Sequence, residues 1–256
     1  MTRRRFIAST AALAAGASVW ANTTGSPACD EDYDFLFARV KFSCHDRRDD
    51  RWNKYPGSDR NVLDEIRRAM RCRVKLHDDC RNGMPRYGRE DQFNAVLTLN
   101  DMATLRRYPF IFMTGEGPFP LSAQEEENLK EYLASGGFLF ADDCVRGLDG
   151  DFFYQECCDR LRRLFGQNAV GPIPNDHELM HNVHDMRGIG LPQCLGVNRG
   201  PTGLFLGDRV AAFLSSTDLH CGCIVPGRRR VGRGGTHGYA EAVAMVINIA
   251  AYSMSH

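Results

Sequence analysis

The sequence predicts an α/β fold built on a mostly parallel sheet with helices on both faces, and three observations carry that expectation. Short apolar runs that read as strands alternate with segments of helical periodicity. Several of these runs are continuous rather than alternating, as strands buried on both faces require. The 256 residues suffice for one domain with an ordinary core and need neither metal nor disulfide to fold.

Phe35 to Phe42 opens the domain as a strand, and Asn61 to Met70 follows with Val62, Leu63, Ile66 and Met70 at helical spacing. Pro109 to Met113 is the next strand and ends in Thr114-Gly115-Glu116-Gly117. Ser122-Ala123-Gln124-Glu125 has the form of a capping box, so a helix begins there and closes at Gly136-Gly137. Phe138 to Ala141 is a short buried strand running into Asp142-Asp143-Cys144. A helix from about Asp151 to Phe165 places Phe153, Cys157, Leu161 and Leu164 on one face, with Gly166 as its stop. Ala169 to Ile173 and Arg209 to Ser215 read as strands, the second after a Leu206-Gly207-Asp208 turn, and Tyr239 to Ser253 as the final helix. In such a sheet the site belongs at the carboxyl ends of the strands.

Residues 1–21 read as a twin-arginine signal peptide: Arg3-Arg4-Arg5 precedes a weakly apolar run from Ala8 to Ala21, too short for the ~20 residues of a membrane span. Residues 22–33 are a linker and 34–256 a single α/β domain, so the expected location is the periplasm or the medium, with no integral membrane segment after cleavage. The formal net charge is zero, from 32 basic and 32 acidic residues, which excludes a nucleic-acid binder held by bulk electrostatics. Export makes disulfides the first expectation for the ten cysteines. Cys221-Gly222-Cys223 and the vicinal Cys157-Cys158 read as structural.

Three clusters carry candidate chemistry. Glu116 is a carboxylate between glycines directly after a strand. Asp142 and Asp143 are adjacent carboxylates, which repel when both are ionised and are retained by binding a cation, by hydrogen bonds to backbone amides or by a raised pKa. Asp176-His177-Glu178-Leu179-Met180-His181-Asn182-Val183-His184 would, with Asp176 as cap, set His177, His181 and His184 along one helical face. His177 and His181, with Asp142, then suit a divalent metal, the alternative being capping or core packing. Asp218 and His220 follow the last strand as candidate ligand-binding groups, or as ordinary loop. The glycine-rich basic stretch 227–235 lacks aromatics for stacking bases and reads as a solvated loop, with an anionic sugar polymer or phosphate as its other contact.

The run from Tyr108 to Gly117, then Leu121-Ser122, Glu125, Leu129 and Tyr132-Leu133, then Gly136 to Cys144, resembles the family called domain of unknown function 4159. The resemblance extends from Arg39-Val40-Lys41-Phe42 to Val246 through Tyr252, with Arg209 to Phe213 and Asp218-Leu219 matching its late strand and turn. It implies a flavodoxin-like three-layer sandwich similar to class I glutamine amidotransferases, and no established reaction. It also implies that Asp142 and Asp143 stand where those enzymes keep a cysteine nucleophile. Glu116 replaces the family's usual histidine, and Glu178 the proline usual after the residue matching His177. The expected function is a ligand or metal site at the carboxyl ends, formed by Asp142, Asp143, Glu116, Asp218, His220, His177 and His181. It would hydrolyse a small-molecule or glycan ligand. The alternative is a non-catalytic binding or scaffold domain that has lost the nucleophile.

Overall fold

The computed structural model describes residues 33–43, 51–75, 94–145, 150–224 and 238–256. The stretch expected to be a signal peptide, nearly all of the expected linker, the basic stretch 227–235, Cys29, Cys44 and Cys80 lie outside the described residues.

Among the described residues seven strands form one sheet: β1 (Phe37–Val40), β2 (Ala95–Leu97), β3 (Phe110–Gly115), β4 (Phe138–Asp143), β5 (Val170–Pro172), β6 (Thr202–Leu206) and β7 (Arg209–Ser215). Their order is β2-β1-β3-β4-β7-β6-β5. The first five in that order are parallel, giving the doubly wound arrangement of flavodoxin-like sandwiches, with its switch point between β1 and β3. β6 and β5 extend the β7 edge antiparallel. β6 and β7 are joined through Gly207, whose φ of 64° suits the tight hairpin turn.

Helices cover both faces. α1 (Pro56–Met70), α5 (Leu219–Gly222) and α6 (Tyr239–Ser255) pack on one face, and α2 (Met102–Leu105), α3 (Ala123–Ala134) and α4 (Phe152–Phe165) belong to the other. Alternation along the strands sorts the core accordingly: Phe110, Phe112, Phe138 and Phe140 face α1 and α6, while Ile111, Met113, Leu139 and Ala141 face α3 and α4. Ser122 caps α3 in a complete capping box with Glu125, as its sequence predicts.

Some boundaries differ from the expectation for physical reasons. α1 starts at Pro56 rather than Asn61, because proline at a first helical position loses no hydrogen bond and arrives with the right φ. β4 continues through Asp142 and Asp143, which pair in register with Thr114, Gly115 and Ser215. The sequence predicts no strand at β2, which has only three residues, or at β6, which carries a glycine at its second position that weakens the strand pattern.

Two expectations are corrected outright. The helix through Asp176 to His184 does not form; only one 3-10 turn, Glu178–Met180, is present. Asn248 of α6 explains why the chain leaves that turn: its side chain accepts from the His184 N–H (2.8 Å) and donates to the His184 carbonyl (2.8 Å), occupying the groups a helix would use. The disulfide expectation also fails among the described residues, where Cys72, Cys144, Cys157, Cys158, Cys194, Cys221 and Cys223 form no disulfide. All but Cys72 are buried and pack as small apolar side chains, Cys157 on the inward face of α4 as its spacing predicts.

Candidate functional site at the carboxyl ends of the strands

The parallel strands end in polar residues. β3 leads into Glu116, β4 into Asp142, Asp143 and Cys144, and β7 into Ser215, Ser216, Thr217 and Asp218, and all of these but Glu116 are buried. Glu116 is half-buried and pairs with Lys54 at 3.3 Å. Gly115 precedes it because space forbids a side chain there, since a Cβ would fall 2.6 Å from the Phe153 ring.

Asp142 and Asp143 are not a dyad. Consecutive strand residues point to opposite faces, and each carboxylate meets a different helix. Asp142 accepts from the backbone N–H of Leu219 (3.0 Å) and of His220 (2.7 Å), which fixes the turn into α5. Asp143 accepts from the N–H of Tyr154 (2.9 Å) in the first turn of α4. Burial, reinforced by the charge of Asp218, pushes the Asp142 carboxyl well above the ordinary range. Burial likewise pushes Asp143 up to about 7, against its backbone hydrogen bonds and with Asp218 and Asp151 adding to the rise.

Asp218 is wholly buried, and its backbone is left-handed (φ 54°, ψ 44°) at the turn from β7 to α5. A non-glycine residue held there stores strain. Three residues on, Cys221 lies on α5, its sulfur 3.7 Å from that of Cys144 across the end of β4. The Cys144 thiol is lowered by its contact with Cys221, but burial and the carboxylates of Asp218, Glu116 and Asp142 together push it up. It is a thiol at neutral pH, not a ready nucleophile.

Behind this rim lies a buried ionic network. Arg39 of β1 grips Asp59 of α1 through Nη2 (2.7 Å) and Nε (3.1 Å), and donates from Nη1 to the carbonyls of Trp52 and Lys54. Asn94 donates to the same carboxylate at 2.6 Å. His220 Nε2 lies 2.6 Å from Asp59 Oδ1. Burial lowers the pKa of His220, so the ring is neutral; the carboxylate then requires the proton on Nε2 and leaves Nδ1 a bare, buried acceptor. Burial opposes the charge on Asp59, but Arg39 and His220 outweigh it and hold the carboxyl below its usual value. Arg39 and Asp59 were not singled out from the sequence. An arginine inside the apolar stretch Phe37-Ala38-Arg39-Val40 is the signal that could have found them, since a buried guanidinium demands a carboxylate partner.

The structure therefore brings together Glu116, Asp142, Asp143, Asp218 and His220, but not the expected metal histidines. His177 caps the 3-10 turn, its Nδ1 accepting from Leu179 N–H (3.2 Å), and its ring lies against Tyr252 at 5.4 Å between centroids. The hydroxyl of Tyr252 accepts from Val210 N–H near the start of β7. Asp142 pairs with Ser215 at the other end of that strand, five residues or roughly 16 Å away. His181 is exposed and its Nε2 meets the Asp176 carbonyl at 3.1 Å. His177 and His181 thus sit at the amino end of the sheet and cannot share an ion with Asp142.

The chain matches the family described as domain of unknown function (DUF4159) over residues 36–254. It belongs to that family. The matched segment contains the whole sheet, the carboxyl-end rim and nearly all of α6. No curated protein matches the chain in sequence. Among the described residues no helix is long and apolar enough to cross a membrane.

Proposed function

We propose that the protein is an exported hydrolase acting on a polar, carbohydrate-like ligand, with its working site at the carboxyl-end rim around Asp218. One observation carries the reading: a fully buried aspartate is held in a left-handed conformation between β7 and α5, and a second buried carboxylate, Asp142, is committed to fixing that turn. Backbone strain of roughly 1–3 kcal/mol at a non-glycine residue persists where the surrounding structure demands that geometry, and such residues cluster at active sites. The half-buried Glu116–Lys54 pair offers hydrogen-bonding groups to hydroxyls at the mouth of the rim. The paired arginines of the leader support twin-arginine export to the periplasm or medium. The described cysteines form no disulfide and all but Cys72 are buried, which agrees with folding in the reducing cytoplasm before transport.

The test uses the mature chain with panels of chromogenic glycosides and esters, comparing wild type with Asp218→Gly and Asp218→Ala. Glycine relieves the left-handed strain, so Asp218→Gly should be more stable than Asp218→Ala by about 1 kcal/mol, while both lose turnover. Full turnover in Asp218→Gly would sink the proposal. A non-catalytic binding domain is the second reading, favoured by the buried and protonated Cys144 thiol at the end of β4. A thermal shift with an oligosaccharide but no hydrolysis of any panel member would select it.

A further inference from the structure

The geometry points to a zinc site between β4 and α5, ligated by Cys144, Asp218 and Cys221. The two sulfurs stand 3.7 Å apart. Two thiolates on one tetrahedral zinc, each with a Zn–S bond of about 2.3 Å, are separated by ~3.8 Å, so the pair is already at the spacing a shared ion requires. One carboxylate oxygen of Asp218 completes the group, with all three donor atoms within 4.8 Å of one another.

The fold explains why these donors converge. Asp218 is the residue immediately before the short α5, and Cys221 lies three residues on, inside that helix. Asp142 holds the first N–H groups of α5 against the end of β4, and Cys144 is the next residue after β4, its N–H donating to the Gly115 carbonyl at 2.9 Å. The left-handed backbone at Asp218 sets the direction in which α5 leaves β7. Cys144 and Cys221 are 3% and 2% exposed and Asp218 is 0%, so the ion would be shielded from bulk solvent.

The donor set selects the metal class. Two sulfurs and one oxygen favour a borderline-soft divalent ion over magnesium or calcium, which take oxygen shells. Three protein ligands leave a fourth position for water or a ligand atom, the pattern of catalytic rather than structural zinc. Binding converts two thiols to thiolates and releases both protons to solvent, so affinity rises with pH. The site shares Asp218 with the proposed hydrolytic rim but stands on a separate observation, and its test does not involve turnover.

The untagged mature protein, purified through its own export route, is analysed for metal by elemental mass spectrometry beside Cys144→Ser, Cys221→Ser and His177→Ala. The expected result is near-stoichiometric zinc in wild type and His177→Ala, falling by about tenfold or more in each cysteine variant. Because a cysteine variant can fail to fold, the metal-stripped and reduced wild type is also titrated with cobalt(II). Sulfur-to-cobalt charge-transfer absorption, with two thiols protected from a thiol reagent, is the supporting outcome. Wild type that takes up neither zinc nor cobalt after reduction overturns the site. So does metal that survives both cysteine substitutions, or a Cys144–Cys221 disulfide as the stable state with no metal uptake once it is reduced.

Discussion

The two ends of the sheet hold ionisable groups in opposite ways. At the amino end, His177 and His181 sit half-buried or exposed, each with a ring nitrogen engaged by nearby backbone. At the carboxyl end, Asp59, Asp142, Asp143, Cys144, Asp218, His220 and Cys221 are buried together, and the pKa directions of Asp142, Asp143 and Cys144 are upward. Groups at the first end behave as local caps, replaceable at small cost. Groups at the second are coupled, and removing one leaves its neighbours buried without compensation.

The sharpest break of this contrast is Asp59→Ala. It removes the carboxylate that Arg39 and Asn94 share and leaves the guanidinium charge buried without its counter-ion, and loss of one partner from a buried ion pair costs about 3–5 kcal/mol, measurable as a shift in the urea midpoint. A cost under 1 kcal/mol would mean that water reaches the network and that the carboxyl end is not the dry site described.

A second test uses pH. The folded-state pKa of Asp143 is near 7, above the ~3.9 of an unfolded carboxyl, so between these values the folded protein holds a proton that the unfolded chain has released. Its contribution to stability is complete below about pH 4 and is lost as pH rises through about 7, with a span of roughly 2–4 kcal/mol. Asp143→Asn, which keeps an acceptor for the Tyr154 N–H, should flatten that part of the stability profile. An unchanged slope in the variant assigns the pH dependence to other groups.

Asp142 separates shape from charge. Asp142→Ala removes the acceptor for two buried N–H groups and should cost about 2 kcal/mol, whereas Asp142→Asn retains one oxygen acceptor and resembles the protonated acid, so it should cost about half as much. Equal losses in both variants would show that the carboxylate charge matters, and would favour a bound cation beside it. The smallest effect belongs to the amino end: His181→Ala, at an exposed residue with one backbone contact, should change stability by no more than about 0.5 kcal/mol. A larger loss would erase the contrast between the ends.

Much of the framework was legible in the chain. The capping box at Ser122, the continuous apolar runs of β3 and β4, the helical spacing in α1 and α4 and the span of β7 are local patterns, because the hydrogen bonds of a helix and the alternation of a strand depend on near neighbours. The rule that sites gather at carboxyl ends pointed to Glu116, Asp142, Asp143, Asp218 and His220, and all five lie at that end of the sheet. Helical spacing misled at His177, His181 and His184, because Asn248, 64 residues from His184, competes for the backbone groups that the helix needed.

What the sequence by itself determined is the α/β class, the order of most elements and the end of the sheet on which chemistry is expected. Only the tertiary structure decided that β4 continues through Asp142 and Asp143, that the histidines lie at the far end, and that Cys144 meets Cys221. Those two sulfurs are 77 residues apart in the chain. Their meeting depends on β7 entering the sheet beside β4 and on the register between those strands, which many side chains set jointly and no local pattern encodes.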